Sequence, residues 1–320
     1  MKTQFPLIIA TALWSGATAQ QAFDYSGTFT GSGKCALINV MMDESGSMGG
    51  DQAFLKNVAI PRIGAELQGP SHNYDHVFLC SGGFGAAYAT NPQDYRHHGC
   101  TLVDASGNVV NPAVTSWVAS GSREDGWYAI KAAILNVTAS IEGIDLLSSC
   151  GSIAFNGILV TDEDRDNLYT AATATSIANL IDDTGYVLNA IVNVGINSDL
   201  ANLGMNIGVA GGSNHTIFRL DPTDPSSYTS YNDLRPYTDI LLAYDMTIPH
   251  YAELTIDRPG AVWNIQSLRT NALPFADAFV DIKVQEIVSS TPVRPEIGGE
   301  SGWNQVSGSV GVSSALRMEH

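Results

Sequence analysis

The sequence predicts an α/β fold: a doubly wound, mostly parallel sheet with helices on both faces and a small C-terminal β segment. Three observations carry this. Residues 36–42 and 153–160 are short, nearly continuous apolar runs, the pattern of strands buried on both faces of a parallel sheet. Each run leads into an acidic residue, Asp43 in the first case and Asp162 in the second, and then into a polar loop. Between them Trp127, Ile130, Ile134, Val137 and Ile141 recur at spacings of three and four, which places them on one face of a helix.

Further along, strands continue to alternate with helices. Residues 168–181 predict a helix, 187–196 a buried strand, 216–220 a short last strand and 237–244 a closing helix. The intervening loop 221–235, dense in Pro, Asp, Ser and Tyr, is long enough to rim one face of the sheet. A change in composition near Met246 bounds an α/β domain at 33–246. Beyond it, Val280-Asp281-Ile282-Lys283-Val284-Gln285 alternates apolar with polar residues, which predicts a strand with one dry face, with 261–268 as its partner. Residues 247–288 are too few for a core of their own, so this β-rich extension should pack on the main domain. Residues 289–320, rich in Ser and Gly, read as a flexible tail, and no internal repeat is visible.

Residues 1–19 have the form of a secretory signal peptide: Lys2, an apolar stretch over 6–14, and Ala17-Thr18-Ala19 as a small-residue cleavage site. No later segment is long and apolar enough to span a bilayer, so the expectation is a secreted, extracellular protein without a transmembrane segment. The four cysteines suit an oxidising compartment, and three pairings are open to them. Asn136-Val137-Thr138 and Asn214-His215-Thr216 are N-glycan acceptor sequons, at Asn136 and Asn214. With 15 basic against 32 acidic residues and a formal net charge of −17, the chain argues against nucleic acid or an anionic membrane as partner.

The chemistry concentrates at Asp43-Glu44-Ser45-Gly46-Ser47, where one carboxylate and two hydroxyls follow a buried strand. Read blandly, this is a Ser/Gly loop with an Asp capping the next helix. Glu124, at the opening of the helix, and Asp162 add two carboxylates, and open α/β sheets bind ligands outside the carboxyl ends of their strands, where the three loops can converge. Such hard oxygen donors favour Mg²⁺ (or Mn²⁺ or Ca²⁺) over zinc, which takes His or Cys. Catalytic patterns read poorly. Ser45 stands where a nucleophile elbow at Ser47 needs Gly. His72, His76, His97 and His98 match no zinc spacing and read as surface residues of polar loops, and no phosphate-binding glycine loop is present. The expectation is that the protein is not an enzyme.

In content and order these motifs resemble the von Willebrand factor A (vWA) domain family, and among its members the A-like domain of integrin β subunits, whose second motif P-E-G-G-F-D-A-I aligns with Arg123-Glu124-Asp125-Gly126-Trp127-Tyr128-Ala129-Ile130. The resemblance implies a vWA/Rossmann-like sheet and a metal-ion-dependent adhesion site. It makes Asp43, Ser45 and Ser47 first-loop ligands, directly or through water, Glu124 the second-loop ligand and Asp162 the third-loop carboxylate. Other A domains supply a Thr from the second loop, which makes Ser122 the alternative ligand there. The integrin regulatory site uses two consecutive acids where this chain has Gly50-Asp51, leaving Asp51 as the candidate for an adjacent site. The family layout also implies the pairings Cys35–Cys150 and Cys80–Cys100, against the alternative of four free thiols.

The function implied is adhesion or matrix assembly: a protein or extracellular-matrix ligand presents an acidic residue that completes the coordination of the cation. The alternatives are a structural vWA domain with a metal-independent interaction surface and a secreted metal-dependent hydrolase, the latter requiring a general base and an enclosed pocket that the sequence does not reveal.

Overall fold

The structure, a computed structural model, describes residues 33–86, 95–121, 124–143, 150–166, 172–197, 205–211, 215–221, 223–224, 226–243 and 246–291. The expected signal peptide, Ser122 and Asn214 lie outside the described residues, as does the tail beyond 291.

A nine-stranded mixed sheet has the order β3-β2-β1-β4-β5-β11-β7-β8-β9. Its centre is parallel: β2 (His76–Phe84), β1 (Gly33–Asp43), β4 (Cys150–Val160), β5 (Val187–Val192) and β11 (Ala261–Asn264) pair in one direction. Antiparallel strands flank it, with β3 (Arg96–Val103) on one side and β7 (Asn206–Ala210), β8 (His215–Leu220) and β9 (Tyr228–Asp233) on the other. The central strands are apolar on both faces because helices cover both. On one face, Ala36, Ile38, Val40 and Met42 of β1 pack with the helical stretch from α1 (Gly49–Phe54) through a π-helical Leu55–Ala59 to α2 (Ile60–Gln68). On the other, Met41 and Leu159 meet Trp127, Ile130 and Ile134 of α3 (Gly126–Gly143) and Ile177 and Ile181 of α4 (Ala174–Thr184).

The α/β architecture with a parallel core is as the sequence predicts; the C-terminal β segment is not. Residues 280–285 lie within a helix, α8 (Ala272–Ser290). Its Phe275, Phe279, Val280, Val284 and Ile287 form a buried face, so the alternation over six residues was a fragment of a longer helical period. The partner segment 261–268 divides: Ala261–Asn264 is β11, and α7 (Ile265–Thr270) begins at Asn264, whose side chain accepts from the Gln266 N–H. Far from being an appendage, β11 sits in the middle of the main sheet between β5 and β7. Trp263 and Phe275 then build the core with Phe54, Phe218 and Phe279. The helix also runs to Ser290, past the expected start of the tail at 289.

Smaller corrections follow the same rule, that tertiary pairing overrides local pattern. The closing helix is a single turn, α5 (Tyr237–Ile240), because Leu241–Ala243 leaves it as β10 to pair with β6 (Val194–Ile196), and a further single turn, α6 (Glu253–Ile256), precedes β11. The strand expected over 187–196 breaks at Asn193 for that reason. Within the 221–235 loop, Tyr228–Asp233 forms the edge strand β9, so β8 is not the last strand. The helix expected from 168 is described only from Ala174 to Thr184, capped by reciprocal Thr173 and Ser176 bonds and stopped by Gly185 at φ 66°.

Both disulfides join neighbouring strands. Cys35 of β1 pairs with Cys150 of β4, and Cys80 with Cys100, its direct partner in the β2–β3 register. The histidines are less exposed than their loop-like sequence suggested: His76, His97 and His98 lie on strands, and His98 is buried with Nε2 3.3 Å from Glu44 Oε1. Asn136 is half-buried on α3.

Candidate metal centre at the carboxyl edge of the sheet

Strand order reverses between β1 and β4: from β1 the chain builds outward through β2 and β3, and from β4 through β5 to the far flank. Loops leaving these two strands therefore diverge, opening a crevice at their carboxyl ends. Asp43 ends β1, and Thr161 and Asp162 follow β4 in register beside it. Both sit there because the apolar runs preceding them fix how far each strand extends.

Glu124 comes from the third loop and stands two residues before α3 begins, rather than in its first turn. Backbone bonds lash the loops together. Gly46 N–H donates to Gly121 O at 3.3 Å, Ser120 N–H to Glu44 O at 2.7 Å, and Asp166 N–H to Glu124 O at 2.9 Å. The Asp166 carboxylate in turn accepts from the Glu124 N–H at 2.9 Å.

The result is a convergence of three acids: Asp43, Glu124 and Asp162 each offer an oxygen within 4.8 Å of the others. Ser45 and Ser47 line the same space, with their hydroxyls 3.3 Å apart and that of Ser47 donating to Asp162 Oδ1 at 3.0 Å. Asp43 accepts from the Ser45 N–H at 2.7 Å and from the Thr161 hydroxyl at 2.8 Å. Glu124 differs in kind. It is 1% exposed, and neither carboxylate oxygen has a hydrogen-bond partner of ordinary geometry among the described residues. Burial, then the nearby Asp43 charge, pushes its carboxyl far above the usual range, and burial raises that of Asp43 as well.

Buried carboxylates without partners are costly, and a polar group left unpaired in a protein interior calls for a ligand, an ion or a proton. The donor set here is entirely hard oxygen, from carboxylates and hydroxyls, which fits Mg²⁺, Mn²⁺ or Ca²⁺ and not zinc. Asp43, Ser45, Ser47, Glu124 and Asp162 are thus brought together and would hold such an ion.

Asp51, the candidate for an adjacent site, is buried and carries a different partner. Arg269 of α7 binds it through Nη2 at 2.6 Å and Nε at 3.1 Å, and the same Nη2 reaches Asp162 Oδ2 at 2.9 Å. Glu44, which adjoins Asp43 in sequence, points inward: it is fully buried and accepts from the Val118 N–H at 2.9 Å. Its carboxylate lies against Gly83, where any Cβ would collide with it.

A second layer holds the loops. Arg165 donates from Nε and Nη2 to Asp125 at 2.9 Å each, and its guanidinium lies 3.7 Å above the Trp127 ring. Asp164 accepts from the Met246 N–H and the Thr247 hydroxyl at 2.6 Å, and the Trp127 indole N–H donates to His250 O. Thr161, Arg165, His250 and Arg269 have no motif spacing to betray them. Only Arg165, a lone base among acids at 162–166, carried a visible signal.

No family model and no curated protein matches this chain. Among the solved structures that resemble it in part are the following three. Proximal thread matrix protein 1 from the mussel byssus is 16% identical at a TM-score of 0.34, over 50% of this chain, which spans 36% of that protein. Manganese-loaded TRAP protein of Plasmodium vivax is 13% identical at 0.28, over 50% of this chain and 57% of its own. The pilus adhesin SpaC from Lactobacillus rhamnosus GG, in its open conformation, is 16% identical at 0.30, over 81% of this chain and 30% of its own. Likenesses this remote carry no argument about function, and the α/β assignment rests on the strand order of the chain itself.

Proposed function

We propose that this chain is a secreted, vWA-like binding protein that captures an acidic group of a protein or extracellular-matrix ligand through one divalent cation held at Asp43, Ser45, Ser47, Glu124 and Asp162. The observation that carries the reading is the buried Glu124 carboxylate, whose oxygens have no hydrogen-bond partner of ordinary geometry among the described residues and face two other carboxylates. A bound cation supplies the missing counter-charge and an electrophilic position for an incoming carboxylate. The protein's own residues do the rest: Thr161 and the Ser45 N–H aim Asp43, Ser47 holds Asp162, and the Arg165–Asp125 pair fixes the loop that carries it. The surrounding charge, net −17 over the chain, would repel an acidic ligand in the absence of the ion. No helix among the described residues is long and apolar enough to cross a membrane.

The test is thermal unfolding of the wild type and Glu124→Gln with and without Mg²⁺, followed by capture of partners from the native extracellular medium with and without chelator. At an ion concentration 100 times Kd, the wild type should gain about 2.7 kcal/mol and the variant nothing. Capture should disappear with chelator. Absence of any saturable effect at millimolar Mg²⁺ or Mn²⁺ rejects the metal, and capture indifferent to chelator moves the working surface elsewhere, as in a metal-independent A domain.

A further inference from the structure

Arg269 is the cation that the structure places directly against Asp162 at this edge. It arrives from a distant part of the chain, on α7 immediately after β11, and its fork spans two carboxylates that would otherwise repel each other. Asp51 is 1% exposed and binds Arg269 through both oxygens, at 3.3 Å and 3.1 Å from Nε and 2.6 Å from Nη2. Asp162 is held from two sides: Oδ2 by Arg269 and Oδ1 by the Ser47 hydroxyl. Nη2 also lies 3.6 Å from Met48 Sδ, so the guanidinium is seated over the loop that follows Asp43.

We propose that Arg269 is a built-in cation, a positioning residue that occupies the place between Asp51 and Asp162, fixes Asp162 toward the neighbouring ion site, and limits this edge to a single divalent ion. The inference rests on the reading of Asp43, Glu124 and Asp162 as a metal centre for the fixing of Asp162, but not for the occupancy of the Asp51 side.

The argument is one of charge and reach. Asp51 is sealed within the fold, and a buried carboxylate deprived of its partner must find another cation or take up a proton. A planar fork holds Asp51 through Nε and Nη2 while the same Nη2 reaches Asp162, a fixed geometry that a rotating ammonium on a flexible stem would set less firmly. The guanidinium carries its charge at every physiological pH, so the place it fills does not empty with calcium or magnesium supply. Binding of the first ion is thereby freed from competition by a second ion for Asp162.

The experiment counts Mn²⁺ ions by electron paramagnetic resonance and equilibrium dialysis on the mature wild type, on Arg269→Gln and on Arg269→Gln with Asp51→Asn. The expected stoichiometries are one, two and one, with the extra ion of Arg269→Gln giving a second, separately saturating population. An Arg269→Gln protein that gains no ion relative to wild type overturns the proposal. The two readings separate cleanly. A wild type that binds one ion with no gain in the variant leaves the metal centre standing and removes the role of Arg269. A wild type that binds none while the variant binds one does the reverse. Arg269→Met, which keeps the aliphatic stem, is the second variant; if neither variant folds even at millimolar Mn²⁺, no ion can replace the guanidinium and the proposal fails on that ground.

Discussion

Two buried polar clusters in this molecule can be set side by side, one at the carboxyl edge of the sheet and one beneath its centre. Beneath the sheet, Lys283 of α8 is fully buried, yet its ammonium donates to Val187 O at 3.3 Å and to Glu286 at 3.2 Å. Glu286 accepts in addition from Asn189 at 2.6 Å, and Asn189 accepts from the Trp263 indole at 2.8 Å. That network contains one cation, one anion and a donor for each acceptor named. At the sheet edge, three acids converge, and among the described residues neither Glu124 oxygen has a hydrogen-bond partner of ordinary geometry. A neutral, mutually satisfied network cements α8 to the sheet, whereas the edge gathers acids of one sign that the rest of the fold must hold together.

The sharpest way to break this contrast is to remove one member of each cluster. Lys283→Met should cost about 3–5 kcal/mol, because it leaves Glu286, whose side chain is only 15% exposed, without its counter-charge. Glu124→Gln in ion-free protein should instead be neutral or stabilising by about 1–3 kcal/mol, because it spares the fold the uptake of a proton on a buried carboxyl that the unfolded chain leaves ionised. Urea unfolding under chelation reads both. Equal destabilisation by the two would show that the edge cluster is as structural as the other.

A smaller effect separates the clusters by pH. In ion-free protein the carboxyls of Glu124 and Asp43 are raised by burial, and that of Glu124 also by the charge of Asp43. The folded state then keeps protons that the unfolded chain has released. Their stabilising contribution is complete below the ordinary carboxylate range and is lost as pH rises through the folded-state values. Between pH 5 and 8 the stability of chelated protein should therefore fall, by up to about 1.4 kcal/mol per pH unit for each retained proton. Saturating Mg²⁺ should flatten that slope, since the ion replaces the protons. Urea midpoints at pH 5, 6, 7 and 8, with and without the ion, give the answer; a chelated midpoint that climbs with pH contradicts the assignment.

The least effect belongs to charges that water already solvates. Arg62 and Asp277 are 2.7 Å apart, but their side chains are 38% and 40% exposed. Arg62→Ala should change stability by no more than about 0.5 kcal/mol. A loss as large as that of Lys283→Met would mean that exposure does not distinguish the charge pairs of this fold.

These clusters also explain what was legible in the sequence. The edge cluster could be read because each of its three acids closes a local pattern: an apolar run ending in Asp43, another ending just before Asp162, and a polar turn with Glu124 before an amphipathic helix. Proximity in space followed from the rule for where parallel strands end. Arg269 could not be read, since it lies 107 residues from Asp162 and 218 from Asp51, within no motif. Lys283 misled directly. Counted as a polar, outward residue, it completed the alternation of 280–285 that suggested a strand, whereas its ammonium is buried and its position belongs to the inner face of α8. Patterns of hydrophobicity register what a side chain is made of, not whether a partner awaits it inside.

The position of β11 has a consequence for how the chain reaches this structure during synthesis. Only four residues long, Ala261–Asn264 bridges β5 on one side and β7 on the other, so the halves of the nine-stranded sheet remain unjoined until residue 264 has left the ribosome. Until then two strand edges stand open, with Trp263 not yet seated between Phe218 and Phe279. Such edges recruit other chains as readily as their own missing strand. The nascent protein is thus vulnerable to misassembly until this strand emerges, and closure by so short a segment is the step on which correct assembly of the sheet depends.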